Sequence, residues 1–235
     1  MKLNRNILIV CIGLTGFFGF GNKSVAQTFS KNIIGYYNLR LFGGDNLIAN
    51  QFVSQSDTLT NLFQYQVPDG STFRKWDSTA NQYMPAATYH LGIGWDINYG
   101  LGLGEGGLFH APTEFTNVFA GIVWPGIDLN NPHNLPLVSI YGTLLLSCYI
   151  PFQANFNDVV GRDPQDGESV TTLDGVTQLY STTTFNSGAW NNGAPLLAVG
   201  QSAFFNIAAV PEPSVLGLLG IGSAFMLLVN RATKR

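Results

Sequence analysis

Apolar residues are distributed differently at the two ends of this chain and in its middle. Ile7 to Phe20 is an apolar run interrupted by glycines, and Val215 to Val229 carries no charge across 15 residues. Between these runs no stretch sustains a 3.6-residue apolar period over three turns. Short apolar or alternating segments, bounded by turn residues, predict strands instead. Leu47–Val53 and Ile140–Cys148 read as apolar strands. Phe73–Trp76 and Tyr83–Tyr89 read as an alternating pair joined by a hairpin loop at Asp77-Ser-Thr-Ala-Asn81. Thr116–Trp124 adds a strand, and Pro125-Gly126 through Asn130-Asn-Pro-His-Asn-Leu-Pro136 has the composition of a linker.

The middle also matches itself. At an offset of 97, Asp69-Gly70 falls on Asp166-Gly167, Asp77 on Asp174 and Tyr83 on Tyr180. Leu47-Ile48-Ala49 falls on Leu144-Leu145-Leu146 at the same offset. At 96, Thr88-Tyr89 meets Thr184-Phe185 and Gly92 meets Gly188, while Trp95 pairs with Trp190 after a one-residue deletion. Leu101 to Phe109 then matches Leu197 to Phe205. Matches that keep their order across most of each copy predict a duplication. The expected fold is all-β: two tandem sandwich-like repeat units, at 27–124 and 137–209, joined by a linker at 125–136. A signal helix precedes them and an apolar helix follows.

The ends read as addresses. Lys2 and Arg5 precede the first apolar run, and Ser24-Val25-Ala26 places small residues before a cut between Ala26 and Gln27. This is the tripartite pattern of a secretory signal peptide at 1–26, which makes signal peptidase a partner. At the other end Val210-Pro211-Glu212-Pro213-Ser214 precedes the second apolar run, and Arg231, Lys234 and Arg235 close the chain. The two prolines hold the backbone around Glu212 extended and open to an enzyme. As a helix of ~1.5 Å per residue, the apolar run reaches roughly 22 Å, short of a ~30 Å hydrocarbon core. Basic residues after it favour a cytoplasmic end.

Charge narrows the functions available. Three of the 11 Lys and Arg lie in the first 26 residues, and three lie with Glu212 in the last 25. The middle therefore keeps five basic against 13 acidic groups, a net of −8. Such a surface has no electrostatic reason to bind nucleic acid. Cys11 falls in the signal, so Cys148 has no intramolecular disulfide partner and no cysteine metal site can form.

The C-terminal arrangement at 210–235 closely resembles the PEP-CTERM sorting signal of Gram-negative bacteria. The resemblance implies recognition of Pro211, Glu212 and Pro213 by an inner-membrane exosortase, transient anchoring in the inner membrane, and delivery to the cell surface or beyond. The repeats also resemble tandem β-rich units of Verrucomicrobia-type exported proteins. The matching segments are Ile33-Ile34-Gly35-Tyr36-Tyr37-Asn38, Asn46–Gln51, Gly94-Trp95-Asp96 and Gly104-Glu105-Gly106. That likeness implies architecture and export, and no activity.

No catalytic constellation stands out. Gly102-x-Gly104-x-x-Gly107 matches a dinucleotide fingerprint in letters only, since the second copy has Ala198, Gly200 and Ala203. Asp96 and Glu105 form the most tempting carboxylate pair for glycoside hydrolysis. Asn191 and Gln201 replace them in the second copy, so strand-bridging polar roles suit both copies better. Asp158, Asp163, Asp166 and Glu168 concentrate oxygen ligands, but Arg162 and Pro164 stand where a calcium loop needs oxygen donors. His90, His110 and His133 are isolated. Trp95 and Trp190 are candidate glycan contacts, although recurring aromatics in β repeats are more often core. The reading is a non-enzymatic, exported protein without a cofactor, with exopolysaccharide as a matrix partner. A carbohydrate-binding or adhesive module is the alternative, ahead of a glycoside hydrolase.

Overall fold

The computed structural model describes residues 33–63, 66–126, 133, 137–138 and 141–209. The signal peptide, with Ala26 and Gln27, lies outside the described residues, as do the sorting motif Pro211-Glu212-Pro213, both terminal apolar runs and most of the linker. The first half runs β1 (Ile34–Leu41), β2 (Gly44–Ala49), the one-turn helix α1 (Leu59–Leu62), β3 (Thr72–Asp77), β4 (Gln82–Tyr83), β5 (Ala87–His90), β6 (Gly94–Trp95), β7 (Gly106–Ala111) and β8 (Phe115–Ile122). The second runs β9 (Gly142–Leu146), β10 (Ala154–Asn155), α2 (Phe156–Val160), β11 (Ser169–Asp174), β12 (Leu179–Asn186), β13 (Ala189–Trp190), β14 (Leu196–Leu197) and β15 (Ala203–Ile207). The protein is all-β in class.

Each half builds a five-strand antiparallel path with the same order of connections. The first sheet runs β2-β7-β3-β5-β6, with β4 on β3; the second runs β9-β15-β11-β12-β13. In both, the first strand lies beside the last and the other three follow outward. The short β10–β14 pairing has its counterpart in an isolated bridge between Thr58 and Gly100. The hairpin turns match as well. The Asp77 carboxylate accepts from the amides of Thr79 and Ala80 at 2.9 and 3.0 Å, and Asp174 does so from Val176 and Thr177 at 2.8 and 3.0 Å. An Asp bonded to amides two and three residues on pre-forms the turn without help from the rest of the chain.

Alternation along the central strands explains why the apolar segments looked continuous. Successive side chains leave a strand on opposite faces. In the first half Ile48, Phe73 and Phe109 enter a core with Leu41, Phe52, Leu59, Phe63, Leu101 and Phe119. In the second half Leu144, Val170 and Phe205 enter a core with Cys148, Phe156, Val160 and Leu197. The neighbours facing the other way, Leu47 and Leu108 from one sheet and Leu145 and Leu173 from the other, form a third cluster with Trp76, Tyr83 and Phe204. The two sheets thus share a buried apolar layer, and each is covered on its far side by its own half's core. The strand pair β1–β8 helps cover the first core, with Tyr37 stacked on Phe52 and Phe119 at centroid distances of 5.3 and 5.2 Å.

The halves also exchange backbone hydrogen bonds reciprocally. The Ala49 amide donates to the Gly200 carbonyl at 2.9 Å, and the Ser147 amide donates to the Gly104 carbonyl at 2.9 Å. Bridges pair Ile48 with Gln201 and Glu105 with Leu146 in the same crosswise manner. Gln51, fully buried, spans the seam. Its amide nitrogen donates to Ser147 Oγ and to the Cys148 carbonyl, both at 3.2 Å, and its oxygen accepts from the Gly200 amide at 2.7 Å. Gly104 adopts φ +72° with Tyr149 so close that a Cβ would lie 2.2 Å from the ring. That close approach, not phosphate binding, accounts for the central glycine of the Gly-x-Gly-x-x-Gly string. No helix follows the string; β7 does.

Replacing Gln51 by Ala strands several buried donors and acceptors at this seam, each costly to leave unpaired. Gln51→Ala is expected to lower stability by about 2 kcal/mol, read as a shifted urea midpoint with an unchanged slope.

Candidate functional site

The residues with the strongest chemical promise are engaged in building turns. The Asp96 carboxylate accepts from the amides of Thr88 at 2.6 Å and Ile97 at 2.7 Å. In the second half the Asn191 side-chain oxygen accepts from the equivalent Thr184 amide at 2.9 Å. Glu105 accepts from the Gly102 amide at 2.9 Å and from Lys75 Nζ at 3.0 Å, and Gln201 accepts from the Ala198 amide at 3.2 Å. A carboxylate and a carboxamide oxygen accept the same hydrogen bond, so these positions need an oxygen and not an ionisable group. Asp69 and Asp166 continue the pattern, receiving the Leu91 amide at 2.8 Å and the Gly188 amide at 3.5 Å.

The tryptophans occupy equivalent cross-strand positions. Trp95 lies opposite Tyr89 in the β5–β6 pair, with ring centroids 5.5 Å apart, and also meets Phe63 and Phe109 at 6.1 Å. Trp190 lies opposite Phe185 in the β12–β13 pair at 5.3 Å and meets Phe156 at 5.5 Å. Both are half-buried against the core of their own half. Edge-to-face pairs of this kind pin register and seal a sheet margin. Trp76 is held between the sheets, its indole N–H donating to the Thr143 carbonyl at 2.9 Å.

The acidic cluster of the second half divides into separate structural tasks. Asp158 forms a capping box with Asn155 at the start of α2. Asp163 accepts from the Asn157 amide group, and Glu168 is fully buried beneath Arg162. One oxygen of Glu168 accepts from the Gln165 amide at 2.8 Å and the other from the Ala208 amide at 2.9 Å. Burial pushes its carboxyl upward, but Arg162 and the two amides more than offset this and hold it below the usual range. Among the described residues no three His, Cys, Asp or Glu side chains gather as a metal site. Burial pushes the Cys148 thiol up to about 12, leaving it a packing residue without thiolate chemistry. His110 pairs with Asp45 at 2.8 Å on the surface.

A concavity among the described residues involves none of these residues. It has a volume of about 620 Å³ and lies between β8, the loop Ser54–Ser56 and the region of α1. Its lining includes the exposed amides Gln55, Asn61 and Gln66 and contains no charged side chain. Nothing in the sequence pointed to it, because neutral Gln, Asn, Ser and Thr in loops carry no spacing that separates a groove wall from an ordinary turn. Among the described residues no helix is long and apolar enough to cross a membrane. Comparison with protein-family models, with curated proteins and with solved structures finds no match to this chain.

Two outcomes test the assigned roles. Asp96→Asn is expected to leave stability unchanged and Asp96→Ala to cost about 1 kcal/mol, because only the latter orphans the Thr88 amide; urea denaturation of both variants distinguishes them. A carboxyl held lower in the folded than in the unfolded chain contributes stability above its unfolded pKa and loses it as pH falls through the folded value. Glu168 should therefore stabilise the protein above about pH 4.3, with the contribution lost on further acidification. Thermal melts across that range should show a smaller acid-induced fall in Tm for Glu168→Gln than for the parent.

Proposed function

We propose that this chain is an exported, non-enzymatic surface protein, addressed by a cleaved N-terminal signal and sorted through its C-terminal Pro-Glu-Pro motif. The observation that carries the reading is the order at the extreme C-terminus. Pro211-Glu212-Pro213 is followed by 15 uncharged residues and then by Arg231, Lys234 and Arg235. Two prolines keep the glutamate in an extended, enzyme-accessible backbone, and the apolar run is short for a permanent anchor. Signal peptidase and an exosortase act on it in transit through the inner membrane, and the destination is the cell surface or the extracellular matrix.

The body delivered is read as two tandem β repeats closed face to face, supported by their common strand order and their equivalent turn carboxylates. A structural or matrix role suits a body whose best carboxylates bond backbone amides of their own turns. Its acidic middle sets it apart from nucleic-acid binders, and exopolysaccharide is the matrix component the reading places beside it.

Mass spectrometry of the protein recovered from cells with an active exosortase is the test. The mature chain should begin at Gln27 and lack the tail beyond the Pro-Glu-Pro region. A retained Met1 would remove the signal reading, and an intact Arg235 would remove the sorting reading.

A further inference from the structure

Among the described residues strand β8 pairs along its length only with β1, and its other edge borders the 620 Å³ groove. At the end of that edge Val53 and Ile122 exchange both backbone hydrogen bonds, at 2.8 and 3.0 Å. In an antiparallel pair the backbone groups of successive residues point to alternate sides. The register of β8 against β1 is unbroken from Ile34↔Ile122 to Leu41↔Phe115. Since Ile122 faces away from β1, the N–H and C=O groups of Ala120, Val118 and Thr116 face away from it too. Beyond Val53 the chain bows off through Ser54, Gln55 and Ser56. Among the described residues no backbone hydrogen bond outside the β1 pairing reaches those three residues.

We propose that this groove takes an extended, uncharged peptide segment of a partner protein, which adds to β8 as an antiparallel strand along the line begun by Val53. The occupant follows from three features. Open donors and acceptors recur at every second residue, a spacing of about 6.8 Å that another extended backbone reproduces. A helix has its own backbone groups satisfied internally and offers no such row. The lining is uncharged although the middle of the chain carries a net charge of −8, so an ionised side chain entering the groove loses water and gains no partner. On the outer face Val118 is 57% exposed, a ready cross-strand neighbour for an aliphatic or β-branched guest residue. The opposite wall carries Leu62 of α1 and the amides of Asn61 and Gln66. This inference is independent of the export reading.

The test selects linear, cysteine-free displayed peptides of about ten residues against the full chain in mild detergent. Selected peptides should be uncharged, and a synthetic copy should slow amide exchange at Thr116, Val118 and Ala120. Val118→Pro removes a donor that faces the groove and no bond to β1, so the fold should survive while affinity falls at least about tenfold. Thr116→Pro provides the same reading one step along the edge, and N-methylation of alternate peptide amides should weaken binding without touching the protein. Three results would each overturn the proposal. One is failure to enrich uncharged peptides. Another is affinity indifferent both to the proline variants and to N-methylation. The third is protection of the same amides by laminarihexaose and by no peptide.

Discussion

Ala49 to Gly200 and Ser147 to Gly104 are two backbone hydrogen bonds of the same length, made crosswise between halves that share a strand order. The rest of the architecture depends on this exchange and on the apolar layer beside it. Each sheet is apolar on both faces, so each would expose leucines and aromatics if it stood alone. Leu47, Leu108, Leu145 and Leu173 meet at a shared layer, and the buried Gln51 fastens the seam with three hydrogen bonds. The two halves thus complete one another through a shared apolar layer.

The equivalences between halves separate what a position needs from what it happens to contain. Asp96 and Asn191 hold the same turn, as do Glu105 and Gln201, so the negative charge in the first half is incidental to the bond. Glu168 is the opposite case. Its counterpart is Ser71, whose hydroxyl is buried without a hydrogen-bond partner among the described residues. A glutamate there is stable only because Arg162 and two amides surround it. One of those amides belongs to Ala208, so the buried pair also holds the segment just after β15.

Among the described residues the halves differ most in what covers their cores. The β1–β8 pair closes the first core with Tyr37 and Phe119, whereas the second core is closed by α2, the short β10–β14 pair and Trp190. The groove along β8 lies where that strand pairs with Val53 and where, among the described residues, Ala120, Val118 and Thr116 have no further backbone partner.

Much of the local structure was legible from residue order alone. Asp-led turns, Gly at left-handed positions and alternating aromatics determine hairpins through bonds between residues only a few positions apart, and the 97-residue spacing marked the equivalent turns. The tripartite pattern of each end is likewise local. The sequence alone also pointed to strand-bridging polar roles for Asp96 and Glu105 from their amide counterparts, and the structure shows both bonding backbone amides in turns. It did not reveal that the two halves pack on one another, because an apolar run such as Leu47–Ala49 reads alike whether its second face meets its own cover or another sheet. Nor did it reveal the open edge of β8: whether a backbone amide is paired depends on which strand arrives beside it, and only the tertiary structure decides that.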